Sequence, residues 1–177
     1  MPAASSALLL LLRACAVGEL RALVRMRFQR HALRNTLVPL TADLEHLADL
    51  GGAPEVIADL EETLARLCAL GEAAAPVQLE FDPATMRTAL VEALGIEVAV
   101  FSDAPWAPLA WLAPRWAVVA RSARAVRLFE RVLELELAED DGAVELLMDA
   151  ARAVGAHAES RKGCVRASAP EDPPRTN

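Results

Sequence analysis

From Ser6 to Leu50 apolar residues recur three and four positions apart. Leu23, Met26, Leu33, Leu37, Leu40, Leu44 and Leu47 fall on one seam, broken at Arg30. This spacing predicts one long helix that packs lengthwise against others. Gly51-Gly52 predicts its end, because glycine tolerates the left-handed conformation that closes a helix. Pro54 suits the first turn of a second helix, where its missing N–H is harmless. Ile57, Leu60, Leu64 and Leu67 give that helix a similar seam, closed at Gly71. So short a turn predicts an antiparallel hairpin. A lone hairpin leaves its seam uncovered, so a dimeric four-helix bundle is the expected completion.

The pattern changes after Ala73-Ala74-Ala75-Pro76. Val77, Leu79 and Phe81 alternate with polar residues, as in a short strand. Asp82-Pro83 predicts a helix start, running to Leu94 and ended by Gly95. Ile96, Val98 and Val100 alternate again, giving a strand–helix–strand unit with the two strands either parallel or not. Pro105, Pro108 and Pro114 punctuate 103–116, with Trp106, Trp111 and Trp116 among them. An irregular loop or short helix is expected there, with an aromatic ligand platform as the sharper alternative. From Trp116 to Arg131 the pattern reads as helix, or as a strand over 116–120. Leu133, Leu135 and Leu137 alternate with Glu134 and Glu136 as in a strand. A turn at Glu139-Asp140-Asp141-Gly142 then precedes a helix over 143–154. Residues 156–177, rich in Ser, Pro and charge, are expected to be a disordered tail.

Composition narrows the classes. The 177 residues suffice for one domain or two small ones. High Ala, Leu, Arg and Glu favour helix. The net charge of −7 is unevenly spread. Residues 1–34 hold six arginines against Glu19, a balance of +5, while 41–100 hold twelve acids against Arg66 and Arg87, a balance of −10. An acidic whole argues against nucleic acid as a partner. Cys15, Cys68 and Cys164 are far apart and form no CxxC pair, so neither a zinc site nor a disulfide framework is expected. A reducing, cytoplasmic setting fits. The run Leu8–Leu12 is short and closed by Arg13, which suits the start of a buried helix rather than a membrane anchor.

One histidine carries candidate chemistry. His31 lies beside the leucine seam but outside it, at a solvent-facing position, with Asn35 one turn further along the same face. The string His31-Ala32-Leu33-Arg34-Asn35-Thr36-Leu37 resembles the H-box of sensor histidine kinases and related histidine phosphotransferases. Leu33, Arg34, Asn35 and Leu37 match the family's third, fourth, fifth and seventh places. Val77–Leu94 resembles the start of that family's ATP-binding domain, and Leu133–Gly142 faintly resembles its first glycine box. The order of helical hairpin then α/β domain is also the family's. The resemblance implies an α+β fold: a hairpin dimerisation and phosphotransfer domain over 1–72, then a small, degenerate α/β sandwich over 76–155.

Departures from the family narrow the chemistry. Ala32 stands where an acidic residue normally follows the histidine and helps activate it. Thr36 stands in place of the usual proline, although Pro39 follows and cannot donate to the carbonyl of Asn35. Glu92 and Glu97 fall roughly where the family has asparagines that hold Mg-ATP, and no glycine-rich lid follows. The resemblance therefore implies a two-component signalling protein that accepts or relays a phosphoryl group on His31, to or from a response-regulator receiver domain. Autokinase activity and ATP binding are not expected, and Mg²⁺ belongs to the partner. His31 would be the phosphoryl acceptor, Arg34 would offset phosphoryl charge and Asn35 would orient it. A homodimer is expected, with no membrane or nucleic-acid partner. The competing readings are a non-catalytic dimeric helical adaptor or inhibitor, and an unrelated α+β protein with a chance H-box. His46 and His157 read as structural or incidental. Glu134, Glu136, Glu139, Asp140 and Asp141 read either as a cation site or, more cheaply, as a solvated strand edge and helix start.

Overall fold

The computed structural model describes residues 3–72, 82–139 and 141–171. The chain is α+β. Helix α1 (Ala3–Asp49) is followed by α2 (Pro54–Glu72), α3 (Pro83–Leu94), strand β1 (Glu97–Val100), α4 (Ala107–Val119), β2 (Ala123–Leu128), β3 (Val132–Leu137), α5 (Val144–Ala153), β4 (His157–Arg161) and β5 (Cys164–Ser168). The strand expected at Val77, Leu79 and Phe81 lies outside the described residues.

Two compact units divide the chain. The first combines residues 3–24 of α1 with everything described from Asp82 onward. A single mixed sheet in the order β1-β2-β3-β5-β4 is its centre. β1 runs parallel to β2, and the β2–β3, β3–β5 and β4–β5 pairs are antiparallel. A parallel pair needs a crossover, and α4 supplies it. Val98, Val126, Leu128, Leu133, Leu135, Val165 and Ala167 are buried on the face covered by helices. The alternate positions form a charged outer face, where Arg127 pairs with Glu136 at 2.9 Å and Arg166 lies between Glu134 and Glu159 at 3.6 and 3.7 Å. Cys164 faces Glu136 across the β3–β5 pair. Partial burial, then the charge of Glu134, push its thiol pKa up.

Several elements start and stop for the expected local reasons. Asp82 caps α3, accepting from the Ala84 N–H at 3.0 Å and from the Thr85 hydroxyl. Pro83 occupies the first turn and Gly95 ends the helix at φ +67°.

Two stretches depart from the sequence reading. Of the two readings of the proline-punctuated region, the helix holds and the irregular loop does not. It is the 13-residue α4, whose Leu109, Ala110, Leu112, Ala113, Trp116, Ala117 and Val119 are buried. Pro108 sits harmlessly in the first turn, and burial around the helix outweighs the bond lost at Pro114. What read as a continuation of helix to Arg131 is strand β2 and the start of the β2–β3 hairpin. The expected disordered tail over 156–177 is also corrected. Residues 157–168 form the β4–β5 hairpin, with Gly163 at φ +77° in its turn. Its buried side chains are small (Ala158, Val165, Ala167), so the alternation was faint against Ser, Arg and Glu.

The first half of α1 belongs to this unit, whereas the sequence reading grouped it with 1–72. Leu8, Leu10, Leu11 and Leu12, expected to start a buried helix, are exposed, whereas Ala16 and Leu20 are buried in the shared core. On either side, Arg13 Nε donates to the Val118 carbonyl at 3.1 Å and Glu19 pairs with Arg115 at 2.6 Å. Arg115 also lies 4.0 Å over the Trp111 ring. A helix with a buried leucine and two arginine contacts is held to α4 in both position and rotation.

The second unit holds the rest of α1 together with α2. Gly51 takes φ +77° and closes α1, and Pro54 opens α2. Leu37 and Ile57 are buried, and Leu44 and Leu64 are half-buried. The other seam residues Met26, Leu33, Leu40, Leu47, Leu60 and Leu67 are exposed, as is Val56.

Candidate functional site

His31 lies inside α1 and is exposed. Arg34 and Asn35, three and four residues on, are exposed too, and helical spacing puts all three on one face. Arg27, one turn before His31, is exposed, and Arg30 is half-buried. From Leu20 to Ala42 the chain has five arginines and no carboxylate. The imidazole thus stands in a cationic stretch of an otherwise acidic chain. A positive surround lowers the cost of gathering negative charge on the ring.

The backbone near His31 is unusual for a helix. Thr36 donates its hydroxyl to the Ala32 carbonyl at 2.9 Å, and Thr41 donates to the Leu37 carbonyl at 3.1 Å. Between them Pro39 lies inside the helix and offers no N–H to the Asn35 carbonyl. Hydroxyls bonded back onto the helix and a proline both bend helices. One turn beyond His31, the helix is therefore less tightly bonded than elsewhere.

Two exposed residues on this side escaped the sequence reading. Phe28 and Val38 are 68% and 62% exposed. Neither belongs to the leucine seam. The signal was available: both are large apolar residues out of phase with that seam.

The positions compared with an ATP site are spread over the first unit. Glu92 is exposed on α3, and Glu97 is exposed on β1. Asp141 follows β3 and is committed inside the protein. It accepts from the Ser122 N–H at 3.0 Å, the Ser122 hydroxyl at 3.1 Å and the Ala143 N–H at 3.0 Å. Burial raises the Asp141 pKa, and these bonds more than offset it, so the carboxyl lies below its ordinary value.

Among the described residues no group of three His, Cys, Asp or Glu side chains could hold a metal ion. Glu134 and Glu136 pair with arginines across the sheet instead. His46 is exposed on α1, and His157 is exposed on β4 rather than in a tail. Among the described residues, no helix is long and apolar enough to cross a membrane. No protein-family model matches the chain, no curated protein is similar to it, and no solved structure matches it.

Proposed function

We propose that this protein carries a phosphoryl group on His31, exchanging it with an aspartyl phosphate on a response-regulator receiver domain. One observation supports this most: an exposed imidazole on a helix, sharing its face with Arg34 and Asn35, within a string that resembles an H-box. In the transfer, a ring nitrogen of His31 attacks the phosphorus of the acyl phosphate. The N–P bond forms, the P–O bond to the partner's carboxyl breaks, and a carboxylate leaves. The ring's other proton is shared with water. Arg34 offsets the charge gathered on the phosphoryl oxygens, and Asn35 orients them. The Mg²⁺ that shields the acyl phosphate is held by the partner. No ATP step enters.

α1 and α2 form an antiparallel hairpin in this reading, and two copies complete a four-helix bundle. Leu33, Leu40 and Leu47 on α1, with Val56, Leu60 and Leu67 on α2, are left exposed by one copy and are covered by the second.

The test is direct. The protein is incubated with a panel of receiver domains phosphorylated by acetyl phosphate. Acid-labile, alkali-stable label is expected on the wild type and absent from His31→Ala. No label on the wild type, or equal label on His31→Ala, overturns the reading. Ala32 favours a second reading, since the acidic neighbour that activates such a histidine is missing. In that case the dimer is an adaptor or inhibitor that binds a signalling partner without chemistry, and a receiver would bind without transferring label.

A further inference from the structure

Helix α1 presents apolar side chains on two different sides. One is the leucine seam, and the other is Phe28 with Val38. Phe28 lies three residues before His31 and Val38 seven after, so both share the face of the histidine. Within residues 1–77 Phe28 is the only aromatic residue, and it is 68% exposed. Asn35 lies between the two apolar residues, and Arg27 and Arg34 line one shoulder of the same face.

Isolated exposed apolar residues are ordinary on any protein surface. Two that bracket an exposed histidine on one helix face are a different matter. They form an apolar–histidine–apolar strip about 15 Å long, with cations along its side. Aromatic side chains ringed by polar groups are the usual anchors of protein interfaces. The charge pattern names the other side. Five arginines and no carboxylate between Leu20 and Ala42 attract an acidic surface.

We propose that Phe28 and Val38 are the anchors on which an acidic partner protein docks over His31, with Arg34 facing its carboxylates. The partner carries a carboxylate-rich pocket rimmed by apolar side chains. The strip is small, so the complex is transient. The inference rests on the phosphotransfer reading for the identity of that pocket. It adds which residues select the partner.

Two donors separate the inference from the reading beneath it. Phosphoramidate labels an exposed imidazole without a protein partner. A receiver domain phosphorylated by acetyl phosphate must dock first. Phe28→Ser and Val38→Asp are both surface changes, and Val91→Ser is an exposed apolar-to-polar control on α3, in the first unit. Phosphoramidate is expected to label His31 equally in all three variants and the wild type. With the receiver as donor, KM is expected to rise about tenfold in Phe28→Ser and more in Val38→Asp, with turnover within about twofold. Val91→Ser should transfer as the wild type does. Added salt should raise the wild-type KM. Wild-type KM in both anchor variants overturns the docking inference and leaves the phosphotransfer reading standing. Absence of receiver-derived label on the wild type overturns both. Loss of nucleic-acid binding in Phe28→Ser, with receiver transfer unchanged, would assign the strip to a different class of partner.

Discussion

Asp141 shows how much one side chain can organise. Its carboxylate joins the turn before β2, through both polar groups of Ser122, to the start of α5, through the Ala143 N–H. Removing it would leave the N–H groups of half-buried Ser122 and Ala143 without this acceptor. Asp141→Ala is expected to cost about 2 kcal/mol in urea unfolding of the first unit. Its lowered folded pKa fixes a pH window as well. Stability from this group is fully present above the unfolded value of 3.8 and is lost as pH falls through the lower folded value. Wild type should therefore lose stability below about pH 4, and Asp141→Asn should flatten that part of the curve. An unchanged slope in the variant would assign the acid sensitivity to other carboxylates. The Asp-Gly turn was legible in the sequence. The clip was not, because Ser122 is nineteen residues away and serine at a turn carries no mark of its distant partner. His31 was legible for the opposite reason: its neighbours lie within one turn of the same helix.

Helices with local signals were read well and elements decided by burial were read badly. Asp82-Pro83 and Gly95 mark α3 with groups that act on adjacent backbone, so four residues suffice to see them. α4 has the reverse character. Its prolines argue against helix, and only its burial against β2 and β3 explains why it forms. The β4–β5 hairpin was missed because Ala158, Val165 and Ala167 are barely more apolar than a polar loop of Ala and Ser. Pro39 in α1 gives a test at this scale. It is exposed and withholds one backbone donor from Asn35. Pro39→Ala restores that donor and should stabilise the helix by about 1–3 kcal/mol. Hydrogen exchange is the suitable measurement: amides over 36–42 should exchange more slowly in the variant. Equal exchange would mean that the two threonine back-bonds, not the proline, govern the looseness beyond His31.

For the whole molecule, the proposed dimer covers the exposed leucines of α1 and α2. One chain weighs 18.9 kDa, and light scattering is expected to give twice that mass. Leu40→Glu or Leu60→Glu places a charge on the covered face and should shift the mass to that of one chain. A wild-type mass of 18.9 kDa would remove the bundle from the proposal. The α+β class and the exposed histidine were readable from periodicity alone. The grouping of residues 3–24 with the α/β unit was not, because Ala16 and Leu20 look like any residues of a leucine-rich helix until the core that receives them is known.

The sheet order carries a consequence for synthesis. β5 is the last strand in the chain, yet it sits inside the sheet between β3 and β4. Leu133 and Leu135 therefore have an uncovered neighbour until Ser168 has left the ribosome. Leu20, translated some 140 residues earlier, waits equally long for the core it enters. The helices of the second unit can form during that wait, whereas the α/β unit closes only once β5 has emerged. Any shortened product that ends before Cys164 would expose the apolar side of β3 and be removed by proteolysis or lost to aggregation, even with its histidine and both seams intact.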